Sequence, residues 1–274
     1  MFRDRIFEGR VAVITGGGTG LGRAFALRFS ELGAKLVLAS RSADHLNPTR
    51  DEIVSHGGSA LSVPTDVRAP EQVEALMRTA HDTYGSIDIL VNNAAGNFLC
   101  RAENLSYNGW RAVVDIVLNG SFFCCRAAFP YMQKQNYGRI LSILATYASG
   151  ASPGTVHSVA AKAGVQAMTR TLAVEWARYG IHANGIAPGS FPTEGASSRL
   201  WLGSQEEAAK RMEKSVPVRR HGRHEELANL AAYLCSNFAD YINGETVTID
   251  GGMTWNHPIF DWERLERIRE GSRW

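Results

Sequence analysis

The chain has 274 residues, 45% hydrophobic and 20% charged, a composition that excludes a disordered or fibrous chain and suits one α/β domain better than two. Lys+Arg 29 against Asp+Glu 27 leaves a formal net charge of +2, so no chain-wide field recruits nucleic acid or an acidic membrane. Nowhere do 18 consecutive apolar residues occur, and the N-terminus MFRDRIFEGR has charges where a secretory signal needs an apolar stretch, so the expectation is a cytoplasmic protein that does not span a membrane.

Val11-Ala12-Val13-Ile14 is a short apolar run ending in glycines, and Lys35 to Ala39 repeats it after an amphipathic segment. Such runs read as strands buried on both faces. Val73, Leu76, Met77 and Ala80 recur at helical spacing before Gly85, a helix stop. A strand follows at Ile87 to Val91, then a long helix around Tyr107 to Gln135, a strand at Arg139 to Leu144 and a helix from about Val156 to Tyr179. A strand at His182 to Ala187, a last helix at Glu225 to Ser236 and a last strand at Glu245 to Ile249 complete the pattern. Strands alternating with helices mean crossover units, hence a doubly wound, mostly parallel sheet covered on both faces.

The stretch from Pro188 to Arg223 breaks the alternation and is rich in Gly, Ser, Pro and Arg, which suits a substrate loop over a cleft. Residues 1–252 form one domain, and 253–274 form a C-terminal extension holding Trp255, Trp262 and Trp274. Asp261 to Glu270 can form a helix with Trp262, Leu265 and Ile268 on one side, docking on its own or a neighbouring subunit. Cys100, Cys124, Cys125 and Cys235 show neither a Cys-x-x-Cys nor a Cys/His ligand spacing, so buried thiols are expected and no metal site. The terminal Gly271-Ser272-Arg273-Trp274 is not a peroxisomal signal of the Ser-Lys-Leu kind.

Thr15-Gly16-Gly17-Gly18-Thr19-Gly20-Leu21-Gly22 follows the first strand and opens the first helix. There a backbone without Cβ atoms can bring its N–H groups and the helix's positive end against a pyrophosphate, which makes Gly16, Thr19, Gly20, Leu21 and Gly22 candidate cofactor residues. The second strand ends Ala39-Ser40-Arg41, and a hydroxyl with a guanidinium suits a ribose 2'-phosphate rather than a free 2'-hydroxyl. Asp66 and Val67 at the third strand's end, and Asn93 and Ala94 after the fourth, continue the line of strand ends where such sheets bind ligands.

These residues resemble the short-chain dehydrogenase/reductase family. TGGGTGLG, Asp66-Val67, NNAAG at 92–96, Asn119 on the long helix, Pro188-Gly189 and Asp250-Gly251-Gly252 occur in that family's order over about residues 8–252. The resemblance implies a Rossmann-type parallel seven-stranded sheet, NADP(H) as cofactor with Pro188 and Gly189 beside it, and a homotetramer built through the two long helices.

Most members of that family place Tyr four residues before a Lys and Ser thirteen before the Tyr. Here Lys162 is preceded by Ser158 at the Tyr position and by Ala145 at the Ser position, while Asn119 remains. An aliphatic hydroxyl is a far weaker acid than a phenol, so Ser158 cannot simply substitute for it and stays a catalytic candidate as an orienting hydroxyl beside Lys162, with Asn119. Tyr147, two residues beyond Ala145, is the alternative hydroxyl.

This second pattern resembles the 2,4-dienoyl-CoA reductases of the same family, through NNAAGNF (92–98), DIVLNG (115–120), Tyr147, Ser-x-x-Ala-Lys-Ala-Gly (158–164), GASSRL (195–200) and ELANLAAYLCS (226–236). The resemblance implies that Tyr147 and Asn97 bind a thioester oxygen, that Lys162 holds the nicotinamide ribose, and that Phe98, Ser106 and Arg199 contact an acyl-CoA thioester. Pro192 stands where those enzymes have a basic contact. Hydride added to the far carbon of a dienoyl thioester drives charge onto the thioester oxygen, so donors aimed there serve the reaction, and protonation at the α-carbon by Tyr147 or water yields a 3-enoyl-CoA. Arg199, Lys210, Arg211, Lys214, Arg219, Arg220 and Arg223 crowd the region after Pro188-Gly189, where CoA phosphates would receive some of them and the rest form a solvated charged face. The rival readings are a trans-2-enoyl-CoA or carbonyl reductase working through Tyr147, and a non-catalytic NADP-binding regulator.

Overall fold

The computed structural model describes residues 5–193, 195, 207 and 215–256. The apolar run β1 (Val11–Thr15) is buried along its whole length and leads through the glycine turn into α1 (Gly20–Glu31). Then come β2 (Lys35–Ser40), α2 (Ala43–Ser55), β3 (Ser59–Pro64) and α3 (Pro70–Tyr84). Proline at its start and left-handed Gly85, with φ of 87°, at its end bound α3, as their backbone preferences dictate. β4 (Ile89–Asn92), α4 (Tyr107–Val114), α5 (Gly120–Gln135), β5 (Gly138–Ile143), α6 (Val156–Trp176) and β6 (Ile181–Pro188) follow. Helix α7 (His224–Leu234) and β7 (Thr246–Ile249) end the described fold.

The seven strands form one parallel sheet in the order β3-β2-β1-β4-β5-β6-β7. Along β1, Ala12 and Ile14 face the layer of α1 and α7 with Phe25, Phe29 and Leu227, whereas Val11 and Val13 face α3 and α5 with Leu76, Met77 and Met132. Two-sided burial accounts for the unbroken apolar runs. The winding reverses between β2 and β4, the two neighbours of β1, and at such a point the loops leaving the strand ends part to leave a crevice.

The long helix differs from the expectation of a continuous one. A π-helical turn, Asp115–Asn119, separates α4 from α5, an insertion that is common at functional sites. By length and hydropathy alone the segment Tyr107–Gln135 could cross a membrane. In the fold it packs on the sheet through Val117, Cys124, Cys125, Ala128 and Met132 and carries Arg111, Arg126 and Lys134.

All four thiols are free, and Cys124, Cys125 and Cys235 are buried, where loss of hydration pushes the Cys125 and Cys235 thiols up to about 12. The expected helix at 261–270 lies outside the described residues. Trp255, the one tryptophan of the extension inside them, is exposed.

Candidate active site

The first turn of the fold is braced from β4. The Thr15 hydroxyl accepts the backbone N–H groups of Asn93 and Ala94 at 3.0 Å each, and Asn93 Nδ2 donates to the carbonyls of Thr15 and Gly16 at 2.9 and 3.1 Å. A Cβ on Gly22 would lie 2.0 Å from the Gly16 carbonyl oxygen, so only glycine permits this approach. Thr19 caps α1 without a side-chain hydrogen bond, and no acidic residue stands in the first turn. The open N–H groups and the positive helix end therefore fit the pyrophosphate of a dinucleotide. A Cβ on Gly20 would come within 3.2 Å of the Thr193 methyl, so the segment after Pro188-Gly189 reaches this turn. Asn93 and Ala94, expected as cofactor residues, are thus also the struts that shape the cradle.

At the tip of β2, Ser40 Oγ donates to the Ser42 carbonyl at 3.0 Å. Arg41 is exposed and has no ion pair among the described residues, so its guanidinium can meet a phosphate. Asp66 is hydrogen-bonded by Arg68 Nε at 2.9 Å. That bond, with lesser help from the charge of Arg41, holds the Asp66 carboxyl below its ordinary range. Sequence reading missed Arg68, whose guanidinium pairs with the Asp66 carboxylate. Val67 is buried and packs where a Cβ on Gly120 would stand.

The hydroxyls gather at the ends of β4 and β5. A 3-10 turn, Thr146–Ser149, leaves β5 and puts the Tyr147 hydroxyl 3.1 Å from Ser158 Oγ. Asn97 Nδ2 donates toward the same hydroxyl at 3.5 Å, its amide oriented because Asn97 Oδ1 accepts the Phe98 N–H at 2.9 Å. Ser158 and Lys162, one turn apart on α6, are both buried. Burial pushes the Lys162 ammonium down to about 8, and its Nζ donates to the Ile143 carbonyl. Asn119 Nδ2 donates to Asp115 Oδ1 at 2.8 Å across the π turn, so Asp115 is a further neighbour that helix periodicity did not single out.

Phe98 lies against α6, while Ser106 acts locally, its Oγ capping α4 by accepting the Gly109 N–H at 3.0 Å. Arg199, Lys210, Arg211 and Lys214 lie outside the described residues. Arg220 and Arg223, two of the basic residues set against CoA phosphates, both donate to Glu226, Arg220 at 2.8 and 2.9 Å and Arg223 at 3.1 Å. That one carboxylate answers two guanidiniums could not be read from composition.

Residues 16–254 match the family described as enoyl-(acyl carrier protein) reductase. A Bacillus subtilis protein called probable 2,4-dienoyl-CoA reductase [(2E)-enoyl-CoA-producing] is 46% identical over 92% of this chain and 98% of its own length. The peroxisomal 2,4-dienoyl-CoA reductase [(3E)-enoyl-CoA-producing] of Rattus norvegicus is 38% identical over 99% of this chain and 92% of its own. Among solved structures, a short chain dehydrogenase from Bacillus anthracis superposes with a TM-score of 0.81 at 46% identity, covering 89% of this chain and 96% of that one. Levodione reductase superposes at 0.89 with 33% identity, covering 92% and 100%.

Proposed function

The chain belongs to the short-chain dehydrogenase/reductase family of nicotinamide-dependent oxidoreductases, and from that premise we propose that it reduces a 2,4-dienoyl-CoA to a 3-enoyl-CoA with NADPH. The observation that carries this reading is the joint approach of Asn97 Nδ2 and Ser158 Oγ to the Tyr147 hydroxyl where Ala145 replaces the hydroxyl usual in the family. The Asn97 amide and the Tyr147 hydroxyl thus stand side by side, as two donors to one thioester oxygen gaining charge would need to. The names of the curated relatives support the same substrate class.

When bound, the nicotinamide supplies a hydride. Everything else falls to the chain. Tyr147 O–H and Asn97 Nδ2–H donate to the thioester oxygen and strengthen as it becomes an enolate. The Ser158 hydroxyl turns its own proton toward the Tyr147 oxygen, freeing the phenolic proton for the substrate. Lys162, held by the Ile143 carbonyl, presents its remaining donors toward the nicotinamide ribose. Asn119, tied to Asp115, holds the π turn beside it. The cradle formed by Gly16, Thr19, Gly20, Leu21 and Gly22 takes the pyrophosphate, Asp66, Val67, Asn93 and Ala94 border the adenine half, and Pro188-Gly189 borders the nicotinamide. Ser40 and Arg41 select the 2'-phosphate.

The test is loss of NADPH absorbance with a 2,4-dienoyl-CoA, against a trans-2-enoyl-CoA and a 3-ketoacyl thioester. Turnover with the dienoyl-CoA alone is expected. Preference for either control makes the enzyme an enoyl or carbonyl reductase, and no turnover with any makes it a regulator. The name of the B. subtilis relative favours a second product, the (2E)-enoyl-CoA, formed if the proton arrives at the γ-carbon. NMR of the product places the double bond and decides between them.

Exposed Phe122 on α5 and exposed Val174 on α6 support a homotetramer assembled through these helices. A stable monomer in light scattering at micromolar concentration would overturn that.

A further inference from the structure

His157 is the residue just before Ser158 on α6, and it is wholly buried. Neither ring nitrogen has a hydrogen-bond partner of good geometry among the described residues, an unfavourable place for an imidazole that only fills space. Its ring lies 4.4 Å from that of Phe98, centroid to centroid, and is tilted by 33° against it, within the range at which aromatic rings pack. On the other side, the Phe98 ring tip approaches Gly109, where an added Cβ would stand 3.2 Å away. Phe98 is therefore wedged between α4 and His157. Its backbone N–H in turn fixes the Asn97 amide, whose Nδ2 faces the Tyr147 hydroxyl, which meets Ser158. The contacts close a ring from His157 through Phe98, Asn97, Tyr147 and Ser158 back to His157.

We propose that His157 is a positioning residue for the reduction: its neutral imidazole braces Phe98, and through Phe98 it holds the Asn97 amide on the oxygen-binding point shared with Tyr147. The role rests on the reading of Asn97 and Tyr147 as donors to a thioester oxygen. Burial lowers the tendency of His157 to protonate and outweighs a backbone contact with Phe98 that favours the proton, so the brace stays uncharged near neutrality. The elements around it carry few charged groups: Arg111 on α4, exposed; Arg101 on the preceding loop, paired with Glu103; and Lys162 on α6, turned to the Ile143 carbonyl. None of these charges perturbs the imidazole. A proton taken up at low pH would thus sit without a counter-charge and push against the Phe98 ring.

The experiment compares wild type, His157→Ala and His157→Phe in two readouts. One is hydride transfer from NADPH to a 2,4-dienoyl-CoA as a function of pH. The other is the NMR signal of the Asn97 side-chain amide in the substrate-free protein, assigned with Asn97→Ala. For His157→Ala, kcat should fall roughly ten- to a hundredfold with KM for NADPH within about twofold, and the amide signal should shift. His157→Phe should restore most of both at neutral pH and lose the acid limb that wild type shows below the ordinary histidine range. An unchanged kcat and amide signal in His157→Ala overturns the brace, as does a loss confined to KM for NADPH or an acid limb that survives in His157→Phe. If wild type does not reduce the dienoyl-CoA, the substrate reading falls and the amide signal alone decides the brace.

Discussion

The two ends of the sheet are built on opposite plans. At the N-terminal ends of the strands, polar groups are closed off against one another: Asp88 accepts Arg10 Nη1 at 2.8 Å, the Val11 N–H at 2.9 Å and Ser86 Oγ at 2.6 Å. There Tyr137 is held between the guanidiniums of Arg10 and Arg139, 3.8 and 4.3 Å from its ring centre, and Arg139 pairs with Asp240 at 2.5 Å. At the C-terminal ends donors are left open, at the uncapped start of α1 and at exposed Arg41, and the Tyr147 hydroxyl meets other polar side chains, Ser158 at 3.1 Å and Asn97 at 3.5 Å. One end uses its polar groups to hold strands together; the other leaves some of them open, where the proposed function places its ligands. Substitutions should therefore separate cleanly, costing stability at one end and turnover at the other.

The largest effect should come from Tyr147→Phe, which keeps the ring and deletes one donor at the developing oxyanion. Turnover should drop roughly a hundred- to a thousandfold with NADPH binding and Tm nearly unchanged. Asn97→Ala should behave alike, and the double variant should lose less than the product of the two if both groups hold one oxygen. Single-turnover hydride transfer measures each. Ser158→Ala should lose less, and a result in which it is crippling while Tyr147→Phe is nearly wild type would return the acid to the usual helix position.

At the closed end, Asp88→Ala leaves the Val11 N–H without its acceptor and Arg10 without its partner, for about 2 to 3 kcal/mol of stability. Urea denaturation should register that loss while kcat stays at the wild-type value. A matching fall in kcat would show that the two ends are coupled.

Arg41→Leu tests the open end at its most exposed point. KM for NADPH should rise about ten- to a hundredfold, KM for NADH hardly at all, and Tm should not move. Equal losses with both cofactors would make Arg41 a structural residue.

The pH response of Lys162 tests the same end through a buried charge. Burial lowers its pKa from 10.5 to about 8, so between those values the unfolded chain binds the proton that the folded protein has released. Stability of the cofactor-free protein should then rise with pH across that window, relative to Lys162→Met. NADPH affinity should weaken as pH climbs through about 8, where the cation is lost. A flat difference in denaturation between the two proteins from pH 8 to 10 would mean that Lys162 keeps its proton.

The glycine turn was legible because each of its features is local in the chain. An apolar run ending in glycines must turn there, and the Ser40-Arg41 step is contiguous with its strand, so residues a few positions apart state their own geometry. Strand and helix order likewise followed from period, with ends shifted by a residue or two, as at β4, which begins at Ile89 rather than Ile87. The π turn was hidden because helical periodicity runs through Tyr107 to Gln135 and no residue at Asp115–Asn119 is a helix breaker.

Sequence by itself determined the sheet, the glycine cradle and the absence of the usual Ser/Tyr pair, since these depend on backbone preference, apolar periodicity and fixed spacing. Only the tertiary structure decided which distant groups meet. Thr15 joins Asn93 across 78 positions, Asn97 meets Tyr147 across 50, Arg68 answers Asp66, Glu226 takes up the guanidiniums of Arg220 and Arg223, and Phe98 comes to rest on His157. Such pairs form because a parallel sheet carries the ends of successive crossovers to one edge, and side-chain partners at that edge are chosen by distance in space, which no local pattern records.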